Sequence, residues 1–199
     1  MTGKAVGTPS RNSRLSLLNF SALWNERINV AGDEANDVKS RLVRGLKWCN
    51  WNAFRALLAV KFPERFSGLA SLQYIRDALE EAPWTFPPKT PIVTPEELDE
   101  ADPRSIQAII LECEVPAAAQ WFIIAAPLIW SYTRLSEEEQ GGKDLYDSDL
   151  WKAKGGLMFN VERWDFWKKR FADIQALEIT ESTKKEAAKS LAAMEEVAA

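Results

Sequence analysis

Apolar residues recur along most of this chain with the 3.6-residue period of an α-helix, and almost no segment alternates between apolar and polar residues as a strand would. The period is strongest over residues 39–62 and returns over residues 67–81 and 160–174. Asn160 is predicted to cap the helix that follows it, and a capping box, Thr183-x-x-Glu186, to open the last helix. The pattern predicts an all-α fold, a single bundle of about seven or eight helices. Residues 1–14 are predicted to form a disordered tail, and residues 15–199 a single domain.

The segment over residues 117–130 is apolar on every side except at Gln120, which predicts a buried helix at the centre of the bundle. Pro127 lies inside it, removes one backbone N–H and crowds the carbonyl of Ile123, so we expect a kink there. A kinked helix of small residues leaves room for a cavity. The aromatic side chains that would line this cavity are Trp121, Phe122 and Trp130.

The first long helix carries an indole opposite its predicted core face. With Leu46 at the centre of the helical wheel, that core face contains Leu42, Cys49, Ala53, Leu57 and Val60. Trp48 lies nearly opposite, beside Asn52 and Arg55. Trp51 lies between the two faces. Two interpretations stay open: the helix lies between two layers, with Trp48 packed on a neighbour or on Arg55 by a cation–π contact, or this side forms one wall of a ligand pocket.

Nine tryptophans and no histidine among 199 residues limit the available chemistry. Without imidazole, Ser-His-Asp and Cys-His nucleophiles and His-ligated metal sites are excluded, and we expect neither a metal nor a cofactor. The net charge of −4, with basic residues dispersed among acids, argues against a nucleic-acid partner. The longest apolar stretch, residues 115–130, falls short of the roughly 20 residues of a membrane span. Cys49 and Cys113, without a C-x-x-C pair, favour a reducing, cytoplasmic location and buried thiols.

Polar residues near the central helix supply candidate chemistry. Burial of Glu112 or Glu114 would raise the pKa of its carboxyl, which could then act as an acid or base near neutrality; the alternative is that both are solvated or paired with a base. The paired glycines at 141–142 and 155–156 bracket a partly apolar loop, which is either a lid or a surface connection anchored by Trp151. The candidate catalytic residues are Gln120, Glu112 and Asn52. The candidate substrate contacts are Trp48, Trp51, Arg55, Trp121, Phe122, Trp130 and Trp151.

Three stretches carry a resemblance to a known family. They are Gly-Leu-Lys-Trp-Cys-Asn-Trp-Asn over residues 45–52, Ala-Gln-Trp over residues 119–121, and Glu-Arg-Trp-Asp-Phe-Trp-Lys over residues 162–168, which an acidic, Ala-rich helix follows. In these motifs the chain resembles a fungal family of helical proteins known only as a domain of unknown function, DUF3632. The resemblance implies an intracellular fungal protein with an all-helical fold. It brings no catalytic residue, and Trp164 and Trp167 are expected to anchor the core.

The preferred function is that of a cofactor-independent protein that binds a hydrophobic small molecule, such as a fungal natural-product intermediate, and promotes its cyclisation or isomerisation. Such a reaction needs only a fixed geometry and a few hydrogen bonds. The alternative is a non-enzymatic helical interaction module, in which exposed aromatic residues such as Trp24, Trp84 or Trp48 dock a partner chain. A hydrolase that uses Glu112 and Glu114 is a third hypothesis. An enclosed aromatic cavity would favour the first function, and a contiguous exposed apolar patch the second. The oligomeric state is left open.

Overall fold

A computed structural model describes residues 38–80, 110–141, 148, 150–151, 158–177 and 179–198 of the chain. These ranges contain five α-helices and no strand. The helices are α1 Val38–Lys61, α2 Ser71–Leu79, α3 Val115–Tyr132, α4 Val161–Ile174 and α5 Glu181–Ala198. A 3₁₀ turn, Gly68–Ala70, precedes α2, and a π-helical turn, Ile110–Glu114, leads directly into α3. The all-α prediction is therefore confirmed for the described part of the chain.

The finer predictions about organisation are not settled by these helices. The predicted tail over residues 1–14, and with it Trp24, lies outside the described residues, as does Trp84. The described residues all belong to one compact unit that begins at Asp37. The single domain over residues 15–199 and the count of seven or eight helices stay predictions.

Helix α3 is buried along most of its length and packs against α1, α2 and α5. Ala125 departs from helical backbone angles (φ −124°, ψ 21°) two residues before Pro127. In the described part of the chain, the helical stretch Leu111–Tyr132 is long and apolar enough to cross a membrane by composition alone. Because 61% of its most apolar window is buried inside the protein, a membrane span is not indicated.

Helix α4 supplies the other half of an aromatic core. Its Trp164, Trp167 and Phe171 are fully buried, as predicted from their common face. Each ring makes an edge contact with Phe122 of α3, with centroids 5.3–5.7 Å apart. The cap predicted for this helix is also present, since Asn160 accepts a hydrogen bond from the backbone N–H of Arg163 at 2.7 Å.

Helix α5 begins earlier than its sequence predicts. The predicted capping box opens at Thr183, but α5 starts at Glu181, and Thr180 accepts a long hydrogen bond from the backbone N–H of Thr183 at 3.4 Å. Thr183 is instead buried, and its hydroxyl donates to the carbonyl of Leu111 at 3.2 Å. The predicted capping box was wrong because local sequence does not distinguish a threonine that caps its own helix from one whose hydroxyl donates to a carbonyl elsewhere in the chain.

The predicted core face of α1 is wrong. Leu46, Leu57 and Val60 are 65%, 49% and 45% exposed. The side that faces α3 contains small or polar residues, namely Gly45, Asn52, Ala56 and Ala59. A Cβ added to Gly45 would lie 3.3 Å from the Cys113 sulfur, so the absence of a side chain there permits the close approach. The helical wheel placed the largest apolar residues of α1 in the core, whereas the packed side of α1 requires small residues.

A buried ion pair joins the end of α2 to the start of α4. The Arg163 guanidinium donates from Nε and Nη2 to the two carboxylate oxygens of Glu80 at 2.8 and 2.7 Å, and both side chains are fully buried. Trp167 Nε1 and Ser148 Oγ also donate to this carboxylate, at 2.6 and 2.8 Å. The remaining Arg163 Nη1 donates to the carbonyl of Met158 at 2.8 Å. The pair is thus bidentate and embedded in further hydrogen bonds, the geometry that offsets the cost of burying charge.

Replacement of Arg163 by Met should lower the free energy of unfolding by about 3–5 kcal/mol, because the Glu80 carboxylate would remain buried without its cation. Denaturant titration measures the loss. The matched control is Lys169→Met on the same helix, which breaks the exposed pair with Asp173 (2.7 Å, Lys169 side chain 72% exposed) and should cost no more than about 0.5 kcal/mol. Equal losses in the two variants would contradict the assignment.

Candidate functional site

Three aromatic rings from three helices meet where α1, α2 and α3 come together. The ring of Tyr74 on α2 stacks nearly parallel on that of Trp121 on α3, with centroids 6.5 Å apart, and makes an edge contact with Trp48 on α1 at 5.4 Å. The Arg55 guanidinium lies over the rings of Tyr74 and Trp51, at 5.1 and 5.8 Å from their centroids. Its Nη1 also donates to the Tyr74 hydroxyl. Four of the predicted substrate contacts are therefore brought together here.

Asn52 links α1 to this aromatic cluster. Its side chain is fully buried, its Oδ1 accepts a hydrogen bond from Trp121 Nε1 at 2.8 Å, and its Nδ2 donates to the backbone carbonyl of Trp48 at 3.1 Å. The amide therefore satisfies the one donor of the buried indole and holds two helices in register. This geometry positions Trp121; the catalytic role of Asn52 stays a prediction.

Gln120 and Trp121 are adjacent in sequence but serve different interfaces. Gln120 Nε2 donates to the carbonyl of Pro116 at 3.2 Å and to Glu186 of α5 at 3.0 Å, and Glu186 in turn pairs with Lys189 at 2.6 Å. The structure thus places Gln120 toward α5 and Asn52 against Trp121 instead of aiming both at one point. Their joint catalytic role stays a prediction.

The π-helical turn carries the two carboxylates that the sequence singled out. Both are half-buried, and Glu114 accepts a hydrogen bond from Trp48 Nε1 at 2.7 Å. Glu112 is likewise engaged by other groups of the chain. The position of Glu114 at the junction of the π turn and α3 lets it reach the indole of α1, so the turn fixes Trp48 at the edge of the cluster.

Burial changes the chemistry of Cys49. Desolvation, followed by the nearby Cys113 thiol, raises the pKa of Cys49 to about 12. Glu186 and Glu114 act in the same direction because a negative charge disfavours the thiolate. The expectation of buried thiols is confirmed for Cys113, whereas Cys49 is only half-buried.

The remaining predicted contacts lie on the α4 side of α3. Phe122 belongs to the core rings described above, and Trp130 packs on Trp164 with centroids 5.1 Å apart. Trp151 is buried against Phe166 at 5.3 Å and beneath the Arg163 guanidinium at 5.9 Å. Trp121 and Phe122 therefore point to different neighbours, so the two sets of predicted contacts are separated by α3. The lid glycines at 142, 155 and 156 lie outside the described residues.

The outward side of α1 is the feature that sequence reasoning missed. We define the outer face of α1 as Val43, Leu46, Phe54, Leu57 and Val60, which are 43–65% exposed. Val43 and Leu57 are two heptads apart, as are Leu46 and Val60, so the face keeps the seven-residue repeat of helix-pairing surfaces. The available signal was that α1 has apolar residues on both sides, which a single-stripe interpretation cannot accommodate.

The structure and its comparisons define an all-helical protein with an aromatic core. Residues 12–171 match the family described as "Protein of unknown function (DUF3632)", so the chain belongs to that family, as its tryptophan motifs indicated. Neither the curated proteins nor the solved structures gave a significant match. The family supplies no activity, and functional inference therefore depends on the geometry of this chain.

Replacement of Asn52 by Ala should lower the free energy of unfolding by about 1–3 kcal/mol and change the tryptophan emission, because the buried Trp121 N–H loses its acceptor. Chemical denaturation followed by fluorescence measures both effects. Asn50, which is exposed on the same helix, provides the control: Asn50→Ala should change stability by less than about 0.5 kcal/mol. A neutral Asn52 variant would show that the indole finds another partner.

Cys49 should resist alkylation in the folded protein. With a pKa near 12, its thiolate fraction at pH 8 is on the order of a thousandfold below that of an ordinary cysteine. Mass spectrometry after iodoacetamide treatment should show slow labelling of Cys49 in the native chain and fast labelling in denaturant. The sign follows from the raised pKa: native labelling increases as the pH rises toward 12. Rapid native labelling at pH 8 would contradict this environment.

Proposed function

We propose that this protein is a helical interaction module that docks an amphipathic helix of a partner on the outer face of α1. One observation carries the proposal: five large apolar side chains are exposed on one side of a single helix, four of them at heptad positions a and d (Val43, Leu46, Leu57 and Val60) and Phe54 beside them at position e. A contiguous exposed apolar surface is the feature that distinguishes docking proteins from closed cores. The opposite side of α1 is already committed to α3, so a partner would not need to displace any part of the described core.

The dimensions of the outer face suit a helix. From residue 43 to residue 60 it extends about 26 Å at 1.5 Å per residue, which a partner helix of about 18 residues would cover. Helix-in-groove recognition uses anchors three, four or seven residues apart, and the pairs 43/46, 54/57 and 57/60 of this face are each three apart. The energetic contribution would come from Leu46, Phe54 and Leu57, which lie at the middle of the face.

A cofactor-free cyclase or isomerase acting on a hydrophobic fungal metabolite is the second candidate, and a separate observation favours it. Within the described part of the chain, the indole N–H groups of Trp130 and Trp164 are buried and lack a hydrogen-bond partner. Their rings are 5.1 Å apart. A buried indole N–H without a partner suits a ligand carbonyl. This candidate includes the finer architecture, a bundle of seven or eight helices around a kinked α3, and the non-helical backbone angles of Ala125 favour such a kink.

Replacement of both Leu46 and Leu57 by Glu should abolish docking and leave folding intact. The measurement uses a fluorescent 21-residue peptide with leucine at heptad positions a and d, except for one central asparagine, and uncharged residues elsewhere. The peptide should bind the natural chain and lose at least about tenfold in affinity for the variant. Stability should change by no more than about 1 kcal/mol, since both positions are exposed.

The control for this experiment lies on the other side of the same helix. Ala56 is fully buried, and Ala56→Glu should unfold the protein because it buries a charge without a partner. If the Leu46 and Leu57 variant unfolds in the same way, the outer face is part of the core and the proposed function is wrong. If the folded variant binds the peptide as well as the natural chain does, docking does not use this face.

A further inference from the structure

All the charged residues of α1 are basic. Its 24 residues include six Lys or Arg and no Asp or Glu. The whole chain nevertheless has a net charge of −4. A helix whose charges are all positive would repel a partner of the same sign and attract an acidic one. The charge of α1 is therefore a specificity feature of its own, separate from the apolar residues that supply docking energy.

Two of these basic residues lie at defined places beside the outer face. In the heptad that makes Val43 and Leu57 position a, Lys47 and Lys61 both occupy position e and both are exposed. Position e borders the apolar seam of a helix pair, where charges select the partner and its orientation. Lys47 and Lys61 are two heptads apart, so they would face two carboxylates with the same spacing on a docked helix.

Asn50 occupies the central position a of the same heptad and is exposed. A polar residue at a single a position lowers the stability of a helix pair but fixes its register, because it requires a polar residue opposite. A partner that places leucine against Asn50 would leave the amide desolvated without a hydrogen bond. The outer face therefore specifies one register as well as one charge.

We propose that the partner segment is an acidic amphipathic helix of about 18 residues, with carboxylates facing Lys47 and Lys61 and a polar side chain facing Asn50. This inference rests on the proposed function, since it names the partner class of the same face. A second copy of this chain fits less well, because pairing two α1 helices would bring together two faces whose charged residues are all basic.

Three peptides test the inference. All have 21 residues, leucine at positions a and d except for one central asparagine, and differ only at e and g, where they carry Glu, Gln or Lys. Isothermal titration calorimetry at low salt should give affinities in the order Glu, Gln, Lys, with at least about a tenfold difference between the first and the last. Addition of salt to 0.5 M should reduce that difference.

Charge reversal on the protein provides the decisive comparison. The variant Lys47→Glu with Lys61→Glu should bind the Lys peptide better than the Glu peptide. The matched control is Lys185→Glu, an equally exposed lysine on α5, which should keep the natural order. An order that does not change with the double replacement, or equal affinities for all three peptides, would overturn the acidic-partner inference.

The design separates this inference from the proposed function. Binding of the Gln peptide without any charge preference refutes only the acidic partner, whereas failure of all three peptides refutes docking as well. Two further measurements test whether another segment occupies the outer face of α1. The first is sedimentation equilibrium, which measures whether the chain dimerises. A dimer that Leu46→Glu dissociates would identify a second copy as the occupant. The acids over residues 96–102 can be replaced by Asn and Gln. If the Glu peptide binds only after this replacement, the chain's own acidic segment occupies the outer face of α1. Either result overturns the proposal.

Discussion

The interaction on which the rest of this structure depends is the buried pair between Glu80 and Arg163. It joins two segments that are 83 residues apart, and its carboxylate also binds Trp167 and Ser148. The backbone takes part as well, because Leu150 N–H donates to the carbonyl of Glu80 at 2.9 Å. Burying two charges away from water is costly unless their donors and acceptors form hydrogen bonds. Here the guanidinium, an indole and a hydroxyl all donate to the carboxylate. The pair fixes where α4 begins against the end of α2, and so where its tryptophans meet α3.

From this anchor the structure divides into two sides of α3. On the α4 side, large aromatic rings fill the core around Phe122. On the α1 side, small residues let the helix backbones approach, and one amide from Asn52 satisfies the indole of Trp121. The nine tryptophans are therefore not one feature. Trp121, Trp164 and Trp167 are fully buried packing elements, while Trp48 is a half-buried boundary between core and solvent.

Periodicity predicted the helices and the buried face of α4 because that helix has one apolar stripe and one polar stripe, and only one orientation hides the apolar side. It failed for α1, whose two sides both carry apolar residues. Choosing between them required knowing that the π-helical turn before α3 approaches at Gly45, a tertiary fact that no local pattern contains. The Glu80 pair was missed for a related reason: in sequence, Glu80 is one acid at the end of a helix. Only its distance from Arg163 makes it exceptional. Trp121 was predicted to line a cavity, which stays a prediction, and its hydrogen-bond partner 69 positions away could not be read from spacing.

The apolar residues on the outer face of α1 need a physical reason, since they are 43–65% exposed, contribute to the described core only in part, as in the contact of the Phe54 ring with that of Trp51 at 6.0 Å, and add a risk of aggregation. A helix that needed only to pack on α3 would gain solubility from polar residues at Leu46 and Leu57 at no cost in stability. Seven-residue spacing, basic residues at two e positions and a single central asparagine are not required by packing against α3, because they lie on the opposite side. All three are instead the determinants of helix pairing: hydrophobic area, charge and register. Their occurrence together on the free side of one helix is explained by a partner helix more economically than by chance composition.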